Sequence, residues 1–332
     1  MYKGFKRIIT VISAVIMAAV FTAGCSGPIG TVDIRTETGR GASPADIIVK
    51  NGSEEIKGYA SDLGVVDIRD DAANADDNSF ITSDAAMLVC VDTAEVIFSK
   101  NVYGKVAPAS LTKLLTALVA LREMDFDSYV TLTNETAVDY PDAQVAGFQA
   151  GDTVLFRDLF SAMLVYSGNE CANGVACAVK GHIKDFVKDM NDTAKEIDCT
   201  GTHYVNPHGL DEDGHYTCVY DLYLVFRECL KYPEFTDQIT KTYTSFYYTR
   251  ADGSTGSMYL TTTNLYLKGV YYAPGDIEAV GGKTGTTING GACLICLFVD
   301  GEGKQYIGIS MGNADKPQLY SQMNAMLSLV AD

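Results

Sequence analysis

The order in which β-forming and helix-forming runs follow one another is what most restricts this chain. Ala85–Val91 (AAMLVCV) and Glu95–Ser99 (EVIFS) are short β-rich runs separated only by Asp92-Thr93-Ala94, the signature of a hairpin. A helical middle follows, over Ser110–Arg122, Phe156–Tyr166, Glu170–Lys180, Ile183–Ile197 and Tyr220–Leu230. Two further β-runs, GGACLICLFVD and QYIGISMG, come late and are joined by the turn GEGK. Lys316–Val330 closes the chain with a helical stripe at 319, 320, 323, 326, 327 and 330. Strands first, helices between, strands and a helix last predict an α/β (α+β) fold. One antiparallel sheet is built from both ends of the chain and flanked by helices, the helical middle is an inserted subdomain, and a site lies between the two parts. With 332 residues, 47% of them apolar, the chain can bury a core of that size.

The first 80 residues read differently. Lys3, Lys6 and Arg7 precede the apolar run Ile8–Phe21, too short to span a bilayer comfortably, and Thr22-Ala23-Gly24-Cys25 follows. Residues 1–24 are expected to be an export signal. The Ala-Gly-Cys ending is similar to the bacterial lipobox, which implies lipidation of Cys25 and tethering to the membrane; Thr22 stands where that pattern usually has Leu, and an ordinary cleaved signal peptide is the other reading. Residues 25–80, rich in Gly, Ser, Asp and Glu, are expected to be a flexible acidic linker. Short β-structure is expected there at Asp46–Lys50 and Val65–Ile68, and one folded domain is expected over 81–332. Residues 1–24 hold three cations and no acid, so without them the formal charge moves from −17 to −20. A chain this anionic, with no basic patch, repels nucleic acid.

Of the nine cysteines, eight remain besides Cys25, most of them in apolar runs. They are expected to be buried thiols. Cys293 and Cys296, three apart in a strand, point to opposite faces, so their C-x-x-C spacing is no redox pair or zinc knuckle.

The chemistry begins in APASLTKLLTALVAL, Ala107–Leu121. Ser110 and Lys113 share one face of a helix start in an otherwise apolar run. A serine hydroxyl becomes nucleophilic beside a base, and a lysine serves if burial or a nearby cation lowers its pKa. Alone, S-x-x-K is weak, since average composition gives on the order of one match in a chain this long. Ser167-Gly168-Asn169 falls between two helical runs and by itself reads as a loop and N-cap; Ser99-Lys100-Asn101 fits the same S-x-N pattern. Lys283-Thr284-Gly285 lies in VGGKTGTT, where flanking glycines permit close backbone approach. Taken in order, S-x-x-K, S-x-N and K-T-G are the motif set of the penicillin-recognising serine enzymes, and Ser99 fails on order.

PASLTK, SGNECAN, NPHGLDEDGHYT and GGKTGTT together resemble the D-alanyl-D-alanine carboxypeptidase family, the low-molecular-mass penicillin-binding proteins, over about Ala85–Asn313. The resemblance implies a β-lactamase/transpeptidase-like fold, a peptidoglycan stem peptide as substrate, β-lactams as covalent inhibitors, and no cofactor. It implies Ser110 as nucleophile, Lys113 as its base and Ser167 as proton relay to the leaving D-alanine. Asn169 would hold Lys113 and the substrate amide. Lys283 would be a second cation that depresses Lys113 and attracts the terminal carboxylate, which Thr284 and Thr286 bind. Gly285 lies between these two threonines, and the N–H groups of Ser110 and Thr286 form the oxyanion hole. Members often carry a basic residue after the Asn of the TTTN segment; here Leu265 follows Asn264. His203, His208 and His215 are read as part of a structural, cleft-lining loop rather than a zinc site. Two alternatives stand beside the carboxypeptidase. A β-lactamase typically has an E-x-x-L-N segment between the second and third motifs, which is absent here. A non-catalytic envelope receptor would not need every motif side chain, and all are present.

Overall fold

The computed structural model describes residues 80–331 and, before them, two strands, β1 (Gly30–Ile34) and β2 (Ile47–Asn51). These pair antiparallel, so the apolar run at 46–50 does fall in β-structure. Residues 1–24, Cys25 and Val65–Ile68 lie outside the described residues.

The main sheet joins the two ends of the domain, as expected. Its strands are β3 (Ala85–Cys90), β4 (Glu95–Lys100), β9 (Glu278–Thr287), β10 (Gly291–Val299) and β11 (Gln305–Asn313), in the order β4-β3-β11-β10-β9 and antiparallel throughout. The inner strands are unbroken apolar runs because both faces are covered. Met87, Val89, Cys293, Ile295, Ile307 and Ile309 face the helical layer. Leu88, Leu294, Cys296 and Phe298 face helix α7 (Lys316–Leu327), which packs Leu319, Met323 and Met326 against them. Cys293 and Cys296 thus point to opposite faces, and all eight cysteines from Cys90 onward are buried and free.

The helical layer holds α1 (Lys113–Glu123), α2 (Phe156–Ser161), α3 (Asn169–Lys180), α4 (Ile183–Glu196), α5 (Val219–Cys229) and α6 (Pro233–Ile239). Residues 113–120 of α1 are buried without exception. A helix apolar on every side has to be enclosed, and α1 lies among α4, α5 and α3. A second sheet, not anticipated from the sequence, runs β5 (Tyr129–Thr131), β6 (Thr153–Leu155), β7 (Tyr243–Thr249) and β8 (Thr255–Thr261). Two of its strands are three residues long, too short for a readable period. The other two, YTSFYYT and TGSMYLT, mix hydroxyl and aromatic residues and contain no continuous apolar run.

Candidate active site

Ser110 sits one step earlier than a helix start. Ala109–Thr112 is a tight 3₁₀ turn behind Pro108, and the α-helix begins only at Lys113. Ala109 takes a left-handed φ of 48°, a strained conformation for a residue with a Cβ. The turn is held from behind by the NPHGLDEDGHY segment. Gly209 has φ 93°, and a Cβ on it would lie 1.9 Å from the Ala109 carbonyl oxygen, so no other residue fits. The Thr112 hydroxyl donates to Ala109 O at 2.9 Å and accepts from His215 Nε2 at 2.9 Å. That tautomer follows from Val205, whose N–H donates to His215 Nδ1 at 3.0 Å. Burial pushes His215 down to about 4 and His208 to about 3, so both are neutral. His203 is exposed and bonds Gly214 O. The segment buttresses the nucleophile turn, and no cluster among the described residues could hold a metal.

Lys113 is fully buried with its Nζ 3.0 Å from Ser110 Oγ, 2.7 Å from Asn169 Oδ1 and 2.7 Å from His208 O. Burial lowers its pKa to about 7, against the opposing pull of Cys171 and Glu170. The geometry suits the neutral amine. Two N–H bonds satisfy two carbonyl oxygens that can only accept, and the lone pair is left for the Ser110 hydroxyl proton.

The second serine is displaced from its helix. Ala162–Tyr166 widens into a π-turn, a feature common at functional sites, and Ser167 follows with φ 71° before α3 starts at Asn169. Lys283 Nζ donates to Ser167 Oγ at 2.7 Å and to Thr284 O at 2.8 Å. Strand β9 lies directly against the nucleophile turn, since a Cβ on Gly285 would come within 3.0 Å of both Ala109 Cβ and Ser110 N. The three motifs therefore meet at one place. Thr284 Oγ1 lies 2.5 Å from Thr263 Oγ1. Thr286 is exposed, donates to Gly285 O, and borders a cavity of about 890 Å³ that also takes in Thr82, Asp84, Ile288 and Lys316.

One expectation needs correction. Each lysine holds its own serine, and Lys283 is not the main cause of the depressed pKa of Lys113. Burial is, and burial also drives Lys283 well below its ordinary value, with the charge of Lys113 adding to it.

Sequence reasoning passed over Glu170. Its carboxylate is 3% exposed, accepts from Gly147 N at 2.8 Å and leaves Oε2 without a partner. Burial raises its pKa. A lone acid in the first turn of an apolar helix was the available signal. Asn264, by contrast, turns inward: its amide reaches Cys296 Sγ and Tyr266 N, so it shapes the chain rather than lining the cleft.

A mixed α/β domain with these motifs converging on one serine matches the fold of penicillin-binding proteins and DD-transpeptidases. The family model for D-alanyl-D-alanine carboxypeptidase matches residues 71–315, and the chain belongs to that family. It is 29% identical over 247 residues to the D-alanyl-D-alanine carboxypeptidase DacF of Bacillus subtilis, covering 73% of this chain and 60% of the relative. To DacD of Escherichia coli it is 29% identical over 236 residues, covering 68% and 57%. The chain thus spans about three fifths of the length of these curated relatives. The crystal structure of the Streptomyces K15 DD-transpeptidase superposes with a TM-score of 0.68 at 23% identity, over 75% of this chain and 97% of that one, and shows the same fold.

Proposed function

We propose that this protein is a serine-type D-Ala-D-Ala carboxypeptidase that removes the terminal D-alanine from peptidoglycan stem pentapeptides. The observation that carries the reading is the placement of a buried, depressed lysine 3.0 Å from Ser110 Oγ with its two N–H bonds already taken up by carbonyls.

Ser110 Oγ attacks the carbonyl carbon between the two D-alanines while its proton passes to Lys113 Nζ. The oxyanion is held by the N–H groups of Ser110 and Thr286. Asn169 fixes Lys113 and faces the substrate amide. The C–N bond then breaks, and the leaving amine takes a proton through Ser167, which Lys283 orients. The substrate carboxylate is received by Lys283, Thr284 and Thr286, next to Gly285, whose missing side chain lets β9 approach the nucleophile. A carboxylate brought to Lys283 raises its pKa again, so substrate itself would charge the lysine that binds it. Water adds to the ester, Ser110 recovers its proton, and the cycle closes. A β-lactam enters the same path and stops at the ester.

The reading includes export by residues 1–24, lipid attachment at Cys25, and a spacer over 25–80 that places the domain at the outer face of the cytoplasmic membrane. No helix among the described residues is long and apolar enough to cross a membrane.

The test is D-alanine release from a D-Ala-D-Ala peptide, with fluorescent penicillin labelling in parallel. Wild type turns over and labels, and Ser110→Ala does neither. Stoichiometric labelling without D-alanine release would make the protein a receptor. Rapid turnover of the penicillin itself would make it a β-lactamase.

A further inference from the structure

The outward face of the second sheet carries a pattern that catalysis does not use. On β7 the residues pointing outward are Tyr243, Ser245, Tyr247 and Thr249; on β8 they are Thr255, Ser257, Tyr259 and Thr261. Tyr243, Tyr247 and Tyr259 are 52%, 77% and 67% exposed, and Tyr129 of β5, on the same face, is 76% exposed. Neither β7 nor β8 contains a single charged residue, although the chain carries 42 acids and 25 bases. The register pairs each central tyrosine with a serine, Tyr259 with Ser245 and Tyr247 with Ser257. The rings of Tyr243 and Tyr259 stack at 5.2 Å with planes 26° apart. The result is a ladder on which tyrosine rings lie beside hydroxyls.

This face runs into the catalytic cleft. Past the end of β8 the alternation continues through Thr261 to Thr263, whose hydroxyl meets that of Thr284 in the K-T-G strand. The sheet is also tied to the turn that leads into Ser167, because Ser161 Oγ donates to Thr244 Oγ1 at 2.8 Å. A ligand lying on the ladder would therefore be continuous with one in the cleft.

We infer that the β7–β8 face, led by Tyr243, Tyr247 and Tyr259, binds the glycan strand of the polymer whose stem peptide occupies the cleft. The inference rests on the function proposed above. Exposed tyrosines give rigid, amphipathic contact area at low entropic cost, and serine and threonine give adaptable hydrogen bonds. A neutral, hydroxyl-rich polymer matches such a face, whereas a charged partner finds no ion to pair with on β7 or β8. Residues on one side of a strand recur about every 7 Å, so successive rungs offer repeated sites to a repeating chain.

The test uses the full chain and, as probe, glycan strands stripped of their peptides and amidated at the carboxylates this exposes, so that the polymer is neutral. The variant is Tyr243→Ser/Tyr247→Ser/Tyr259→Ser, with Tyr247→Asp alone as a milder second. Co-sedimentation should show wild type bound and the triple variant weakened about tenfold or more. D-alanine release from intact peptidoglycan should fall in step, while release from a short soluble peptide stays within about twofold of wild type. The inference is overturned if wild type ignores stripped glycan, if the folded triple variant binds it equally, or if soluble-peptide turnover falls as far as polymer turnover. It is also overturned if wild type forms a concentration-dependent dimer that the triple variant loses, because a second copy then covers the face. Glycan binding without any turnover of the soluble peptide would sink the carboxypeptidase reading and leave this face standing as a polymer-binding surface.

Discussion

Two lysines lie at the bottom of the cleft, and their differences say more than their similarity. Both are fully buried, both bond a serine, and burial lowers the pKa of both. Lys113 donates to two carbonyl oxygens and faces the Ser110 hydroxyl, with the acid Glu170 nearby. Lys283 has a hydroxyl and one carbonyl, and the nearby charge it feels is another lysine. The first setting keeps a base poised near neutrality. The second, in the function proposed above, finds its counter-charge in the substrate. On that reading one lysine transfers a proton and the other binds, and the flanking acceptors make the distinction rather than the residue type.

The sharpest way to break that comparison is to remove each lysine in turn. Lys113→Met should lower penicillin acylation and D-alanine release by roughly 10³-fold, as loss of a general base does. Lys283→Met should lower kcat/KM for the D-Ala-D-Ala peptide by about 10²-fold, with a share of the loss in KM. Equal effects in kcat alone would abolish the division of labour.

The next effect is on stability. The folded pKa of Lys113 is about 7 against 10.5 for an ordinary lysine. Between those values the unfolded chain binds a proton that the folded chain does not. The destabilisation is therefore full below pH 7 and gone above pH 10.5. Lys113→Met should stabilise the fold by a few kcal/mol at pH 6, roughly, with the gain shrinking toward pH 10. Thermal melts across pH check this, and a pH-independent difference would refute the assigned cause.

The smallest effect concerns Glu170. Lys113 accepts a proton only when neutral, so kcat/KM should fall as pH drops below about 7. Glu170→Gln removes a charge that raises Lys113, and the midpoint should move to lower pH by less than about one unit. An unmoved midpoint would mean that Glu170 is already neutral and acts only through its bond to Gly147.

Much of this was legible beforehand. Ser110 and Lys113 announced themselves because a polar residue in an apolar run needs a reason, Lys283 because it stands in a K-T-G run between glycines, and the order of three motifs tied them together. The inner strands and α1 were readable because their burial demands continuous apolar sequence. The β7–β8 pair was not, since a half-exposed sheet of tyrosine and threonine has no contrast between faces that a single strand reveals. Glu170 was overlooked because its role lies in what surrounds it.

The sequence by itself determined which residues could do chemistry and in what order the elements come, since side-chain type and periodicity are local properties. Only the tertiary structure decided which lysine meets which serine and how far burial lowers each pKa. Desolvation and hydrogen-bond geometry depend on segments such as Ser167 and Lys283, 116 residues apart, coming within 2.7 Å.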